Sequence, residues 1–484
     1  MRSRSILLWL LLFAAAAPSR GQQGSGHLRL VFAGDLMGHM PLHSAALQPN
    51  GSYDYVPCFQ YVKDYVQSAD VAIVNLEVTL AGKPYTGYPC FSAPDAIAEA
   101  AHQAGFDVFT TANNHCMDKG SRGLERTLDV LDTFGIKHLG TYRTVQERYK
   151  NHPLIVERNG IRLALLCYTY GTNGISVKEP NVVNMIDTAM MLRDLQTARL
   201  KNADFIIALM HWGIEYQKRN NKEQEQVARW LFDNGCDAVI GGHPHVVQNL
   251  TVDANPDNDR FPEPVVYSIG NFLSNQTHGG TDGGIMFEME LSKQGRTTSI
   301  YSCAYMPYYI HRAVVDGRRQ FHIVPVSDAT AFPDSYGITP AALKPIKEFE
   351  EEIYQSLVVG QPRQRGYSIP ERRYYNNTRP LPQYPYAGYF LNYGYPLSGM
   401  SPVIPAWRKT MPLAPPPPKR NDKPCKRVGH RLGLRSAPSQ PAFCRSVNAI
   451  FHPPATARIG SFFLRTNTGC CPLVVRLMSA CCPL

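Results

Sequence analysis

Short apolar, β-rich runs recur through the first 290 residues, and six of them stop at a knot of polar residues, four of these with glycine. Residues 28–33 run into Gly34-Asp35-Leu36-Met37-Gly38-His39, residues 71–74 into Asn75-Leu76-Glu77, and residues 108–111 into Ala112-Asn113-Asn114-His115-Cys116-Met117-Asp118. Residues 205–210 deliver His211-Trp212-Gly213, residues 238–240 open into Gly241-Gly242-His243-Pro244-His245, and residues 265–269 end in Gly270-Asn271-Phe272. Helical patterns separate several of these runs. Leu124, Leu128 and Leu131 fall at i, i+4 and i+7 before Gly135; Val227, Leu231 and Phe232 share a face that stops at Gly235; the Ala-rich stretch 94–104 is closed by Gly105. Residues 161–169 add a further strand, residues 313–326 read as a hairpin around Asp316-Gly317, and residues 340–357 as one charged helix. Strands alternating with helices predict an α/β layered domain.

In a largely parallel sheet the carboxyl ends of the strands share one edge, and open α/β proteins bind ligands there. Asp35, Glu77, Asn114, His115, His211, His243 and His245 would then converge despite their separation in sequence. Each has a bland reading. An Asp after a strand commonly caps a helix, Glu77 could be solvated, Asn-Asn-His could be a turn, and His211 beside Trp212 could be a satisfied core histidine. His243-Pro244-His245 says more, because alternate residues of an extended segment place two imidazoles around one ion. Polar tips on so many strand ends are hard to explain by packing, since burying them without a role costs desolvation energy.

The donor types decide the metal class. Three imidazoles, two carboxylates and an Asn oxygen suit Mn, Zn or Fe and not Ca or Mg, which take oxygen alone. Six donors exceed one tetrahedral ion, so the expectation is one or two ions, a pair standing about 3.5–4 Å apart and bridged by Glu77. His115, next to Asn114, is placed to protonate a leaving oxygen, with Asp118 to orient it; a plain structural His115 is the alternative. A nucleophilic Cys116 lacks an evident second base.

At these residues the sequence resembles the poly-γ-glutamate capsule biosynthesis (CapA-like) family, itself similar to calcineurin-like metallophosphoesterases. The resemblance runs from about residue 28 to 272. It rests on Gly34-Asp35, Asn75-Leu76-Glu77, Asn113-Asn114-His115 with Asp118 and Gly120, His211-Trp212-Gly213 with Glu215-Tyr216, Gly242-His243-Pro244-His245 and residues 267–272, in that order. It implies a four-layer α/β/β/α sandwich of the metallophosphoesterase type, metal ligands at Asp35, Glu77, Asn114, His211, His243 and His245, and a catalytic acid at His115. Two departures from the wider phosphoesterase pattern stand out. The Asp-x-His opening is here Asp35-Leu36-Met37, one imidazole short, and Glu77 stands where those enzymes place Asp. His39 occupies a position where relatives often carry Arg, so an anion contact is lost or a substitute ligand gained.

The chain ends read differently. Arg2 and Arg4 precede an apolar run at residues 6–17 that closes on small residues, which predicts a signal peptide over 1–21 and export to the periplasm or cell surface; an uncleaved membrane anchor is the alternative. Residues 27–357 form the expected domain, 358–405 a Tyr/Pro-rich extended segment, and 406–484 a basic, disordered tail. That tail holds 13 Lys+Arg against the single Asp422, a net +12 against the formal +10 of the whole chain, so the body is close to neutral at −2. A nucleic-acid partner is therefore not expected. Export would permit disulfides, and the loop contexts of Cys58 and Cys90 suggest a pair; Cys167 and Cys236 read as buried thiols.

Two functions remain open on sequence grounds. One is an exported metal-dependent hydrolase acting on a phosphoester or an amide of an anionic polymer. The other is a non-catalytic assembly or export subunit of capsule synthesis, working with other components at the membrane. A metal-dependent amidohydrolase barrel fits less well, because its His-x-His comes on the first strand and here it comes late.

Overall fold

Alternation along the strands sorts the interior into three cores. Leu28, Leu30 and Phe32 face one apolar cluster while Val31 and Ala33 face another. In the second half of the chain Ile207 and Leu209 face the first cluster, and Ile206, Ala208 and Met210 face a third. Period-two patterning with both faces apolar is what a sheet covered on both sides demands. The computed structural model describes residues 25–253 and 263–359. The segment expected to be a signal peptide, nearly all of the Tyr/Pro-rich stretch and the basic tail lie outside the described residues.

One sheet sets its strands in the order Arg318–Pro325, Thr297–Val315, Gly283–Gln294, Ser25–Leu36, Val71–Leu76, Val108–Thr110 and Lys137–Leu139, with Asn271–Leu273 paired to Ser25–Leu36. The other runs Leu250–Asp253, Glu263–Val266, Ala238–Gly242, Phe205–His211, Ile161–Thr169 and Leu154–Arg158. Each has a parallel centre: Ser25–Leu36 through Lys137–Leu139 in the first, and Ile161–Thr169 through Glu263–Val266 in the second. The two sheets pack face to face across the first cluster. Helix Ala96–Gln103 covers the outside of the first sheet, Gly120–Thr133 packs Val130 and Leu131 there and Leu124 and Leu128 into the first cluster, and Thr188–Leu200 and Lys222–Asp233 cover the second sheet. This is the four-layer α/β/β/α sandwich that the resemblance implies.

The helices end where the sequence says they should. Leu124, Leu128 and Leu131 are all buried, and Gly105, Gly135 and Gly235 each adopt the left-handed backbone that closes their helix. The Asp316-Gly317 turn has φ of 51° and 73°, the pairing that matches the twist of a two-residue hairpin. The disulfide expectation fails. Cys58 is a free thiol buried in the helix-facing core and Cys90 is a free thiol exposed to solvent. Cys167 and Cys236 are buried thiols as expected. Among the described residues no helix is long and apolar enough to cross a membrane.

Candidate metal centre

Strand register brings the polar tips together. Asp35 lies opposite Asn75 on the neighbouring parallel strand, Asn75 opposite Thr110, and His211 opposite Gly242 in the other sheet. Close backbone approach is needed at this edge. A Cβ on Gly34 would collide with the carbonyl of Gly270, and one on Gly242 would reach within 3.0 Å of Asp35 Oδ1.

Glu77 is the centre of the arrangement. Its carboxylate belongs to two groups whose ligand atoms all lie within 4.8 Å of one another: Asp35, Glu77 and His211, and Glu77, His243 and His245. All five are almost completely buried. Asn114 joins them, accepting a hydrogen bond from His211 Nε2 through Oδ1 at 2.7 Å. Glu77 Oε1 stands 3.5 Å from that same nitrogen and 3.9 Å from His245 Nε2, yet it has no hydrogen-bond partner, and neither has His243 Nδ1. Buried polar atoms without partners cost about 1–3 kcal/mol each.

Electrostatics repeats the point. Burial, with Asp35 alongside, pushes the Glu77 carboxyl well above its ordinary range. Burial acts on Asp35 in the same direction, but its hydrogen bond and charge interaction with His245 prevail and hold it low. Burial pulls His211 down to about 4 and His243 to about 2, the latter helped by its neighbouring imidazoles. His245 goes the other way, the Glu77 and Asp35 carboxylates outweighing its burial. Neutral imidazoles beside a carboxyl group with an idle oxygen are a donor set that a divalent cation would complete, and its charge would reverse the penalty on Glu77. The residues present therefore fit such an ion.

The His-Pro-His segment corrects one expectation. It is a turn and not an extended segment, with His243 at φ 97° and His245 at φ 60°. Left-handed backbone at a non-glycine residue costs about 1–3 kcal/mol and persists where the surroundings over-determine it. Tyr216 N–H donates to Pro244 O at 2.8 Å, and His243 N–H donates to Asp35 Oδ2 at 3.3 Å, which pins the turn at both ends.

His115 and Asp118 meet as well. His115 Nδ1 lies 2.7 Å from Asp118 Oδ2, an oxygen that also accepts the Phe91 N–H at 2.7 Å, and the Phe91 ring packs edge-on against the imidazole. Met37 is buried in the helix-facing core, so position 37 offers no ligand. His39 accepts the Asn275 N–H and packs against Phe91; it belongs to neither donor group.

Three residues without a role in the sequence reading hold the site in place. Asn75 donates to Asp35 Oδ1 at 2.8 Å, to Glu77 Oε2 at 3.4 Å and to His211 Nδ1 at 3.4 Å, while its own oxygen accepts from Thr110 and Asn113. Asn113 also donates to Leu76 O and accepts from His115 N–H. Asn173 accepts from Asn114 through Oδ1, and its amide nitrogen lies 3.4 Å from His115 Nδ1, so it stands between the donor cluster and the His-Asp pair. The signal for Asn75 was its register: it follows Val71 and Ile73 on the face that points between the sheets, where an amide needs a reason.

Residues 29–276 match the family model described as bacterial capsule synthesis protein PGA_cap. The chain is similar to the capsule biosynthesis protein CapA of Bacillus anthracis, 27% identical over 301 residues, which covers 59% of this chain and 69% of that protein. It is similar to the PGA biosynthesis protein CapA of Bacillus subtilis (strain 168), 26% identical over 308 residues, covering 60% of this chain and 76% of that one. Among solved structures it is similar to Haemophilus influenzae NAD nucleotidase, with a TM-score of 0.40 at 14% identity over 69% of this chain and 64% of that one. A calcineurin-like phosphoesterase, YfkN from Bacillus subtilis, gives a TM-score of 0.35 at 13% identity over 68% and 97%.

Proposed function

Because the chain belongs to the bacterial capsule synthesis PGA_cap family, we propose that it serves capsule polymer synthesis as an exported, metal-dependent hydrolase cleaving a phosphoester. The observation that carries this reading is the sharing of buried Glu77 by two donor groups, with the His115–Asp118 pair beside them across Asn173. Asp35, Glu77, Asn114, His211, His243 and His245 would hold one or two divalent transition ions. Such ions supply electrophilic pull on a phosphoryl oxygen and activation of water.

The chain's own groups do the rest. Asp118 fixes the Nδ1 side of His115 and leaves Nε2 to pass a proton to the departing oxygen. The Phe91 N–H and ring restrict the rotation of that pair. Asn75 and Asn113 keep Asp35, Glu77 and His211 in position without titrating themselves. Burial of all these groups excludes water and strengthens each interaction.

The test is elemental analysis of the purified full chain together with a panel of phosphoesters and γ-glutamyl polymers. Substituting His115→Ala is expected to reduce phosphoester turnover by about 10²–10⁴-fold while bound metal is retained. Metal uptake with no turnover that depends on His115 would overturn catalysis in favour of an assembly subunit. Release of γ-glutamyl fragments would move the activity to amide bonds. N-terminal sequencing of the secreted protein checks export and cleavage near residue 21.

A further inference from the structure

The cluster is flanked by tyrosines that the chemistry above does not use. Tyr170 follows the strand Ile161–Thr169, and its N–H donates to the carbonyl of His211 at 3.0 Å. Its ring centre is 4.4 Å from that of His243 and 6.4 Å from that of His211, nearly parallel to the latter at 13°. Tyr216 lies beyond the strand Phe205–His211, anchored by its N–H on Pro244, with its ring 6.0 Å from His245 and 4.9 Å from His278. Both are thus fixed by backbone to metal-ligand segments.

Both also present a large face to solvent: Tyr170 is 45% exposed and Tyr216 is 41% exposed. Tyr216 moreover occupies a left-handed backbone with φ 65°, a position where glycine would be unstrained, so the side chain is held there against a cost. Glu215 is the charge that both hydroxyls feel most. Nearby Lys218 is engaged with Glu352 at 2.7 Å and Arg312 with Asp282 at 2.9 Å. Aromatic faces, neutral hydroxyls and a carboxylate suit an apolar-faced ring and repel a polyanion.

We propose that Tyr170 and Tyr216 form a specificity subsite for a flat, uncharged ring carried by the group esterified to the phosphate, and that this ring is not part of a polyanionic chain. The assignment rests on the phosphoester reading and names the leaving group that reading lacks. Stacking on the two rings holds the leaving group beside His211, His243 and His245.

Two non-hydrolysable probes separate the claims. Titration calorimetry on the metal-loaded full chain compares phenylphosphonate with methylphosphonate. Phenylphosphonate is expected to bind about tenfold more tightly, the equivalent of one or two aromatic contacts. Tyr170→Ala and Tyr216→Ala should each lower that ratio toward one while methylphosphonate affinity holds, and Tyr170→Phe and Tyr216→Phe should preserve it. Equal affinities in the native protein overturn the subsite and leave the hydrolase standing. Failure of both phosphonates to bind overturns the phosphoester reading and the subsite with it. A ratio that survives both alanine variants places ring recognition elsewhere and rejects these two residues.

Discussion

Two buried polar clusters in this fold use the same kinds of side chain to opposite ends. Around Asp194, His152 Nε2 stands at 3.3 Å, Arg148 donates at 2.6 Å and the Tyr168 hydroxyl donates at 2.8 Å. Tyr142 meets the other His152 nitrogen at 2.9 Å, and Asn184 accepts from Arg148 Nε at 2.6 Å. That network is closed: acid, imidazole, amide and phenol satisfy one another. Around Glu77 the same chemistry is left open, with Glu77 Oε1 and His243 Nδ1 idle and two histidines in left-handed backbone. Satisfaction stiffens a fold, whereas open valence with strain is the condition of a site awaiting a ligand.

Paired substitutions break the comparison most sharply. Asp194→Ala leaves the largely buried Arg148 without its counter-charge and the buried His152 and Tyr168 without their partner, and removing one partner of such a pair costs about 3–5 kcal/mol. Urea unfolding should show that loss while the surviving folded protein still takes up metal. Glu77→Gln should do the reverse, abolishing tight metal uptake while the metal-free protein unfolds at an unchanged or higher urea concentration, because an idle buried carboxyl has been removed. If Glu77→Gln destabilised the metal-free chain as much as Asp194→Ala does, the two clusters would be the same kind of object.

Asn75→Ala sharpens the contrast at a smaller scale. It removes the amide that orients Asp35, Glu77 and His211 without removing a ligand. Loss of such a supporting contact lowers metal affinity by about 10–100-fold. Competition with a chelator measures the shift. An unchanged affinity would mean that the carboxylates hold their geometry unaided.

Asn75 also marks how far the sequence could be read. The strands, the glycine-closed helices and the residues gathered at the edge were legible because each is a local signal: an apolar run, a terminator, a polar tip. Parallel registration then converts local position into proximity, so Asp35 and His245 meet at 3.1 Å across a long stretch of chain. What was hidden depends on partners. Asn75 acts through oxygens and nitrogens donated by three other strands or their loops, and nothing around it in sequence announces them. His243 and His245 were recognisable as a pair, but their turn geometry is imposed by the Tyr216 N–H and by Asp35 from outside the segment. Cys58 and Cys90 looked alike in sequence and differ only in which one the core covers.

The last contrast concerns histidines away from the cluster, whose effect near neutral pH is small. Burial pulls His43 and His311 down to about 4, His311 with help from His322 and Arg312. Each has a buried Nε2 without a hydrogen-bond partner, so each is folded as the neutral imidazole. The unfolded chain takes up a proton at about pH 6.5 and the folded one does not until about pH 4, so the unfolded state binds more protons in that window. Stability from these residues is therefore complete above about pH 6.5 and is lost as pH falls, by about 1.4 kcal/mol per pH unit for each group. Urea midpoints followed from neutral to acid pH should decline accordingly, and His311→Gln should flatten the slope by one such share. A slope unchanged in that variant would assign the acid sensitivity to the carboxylates, including Asp194, whose own contribution is lost only at lower pH because its partners hold its pKa down against burial.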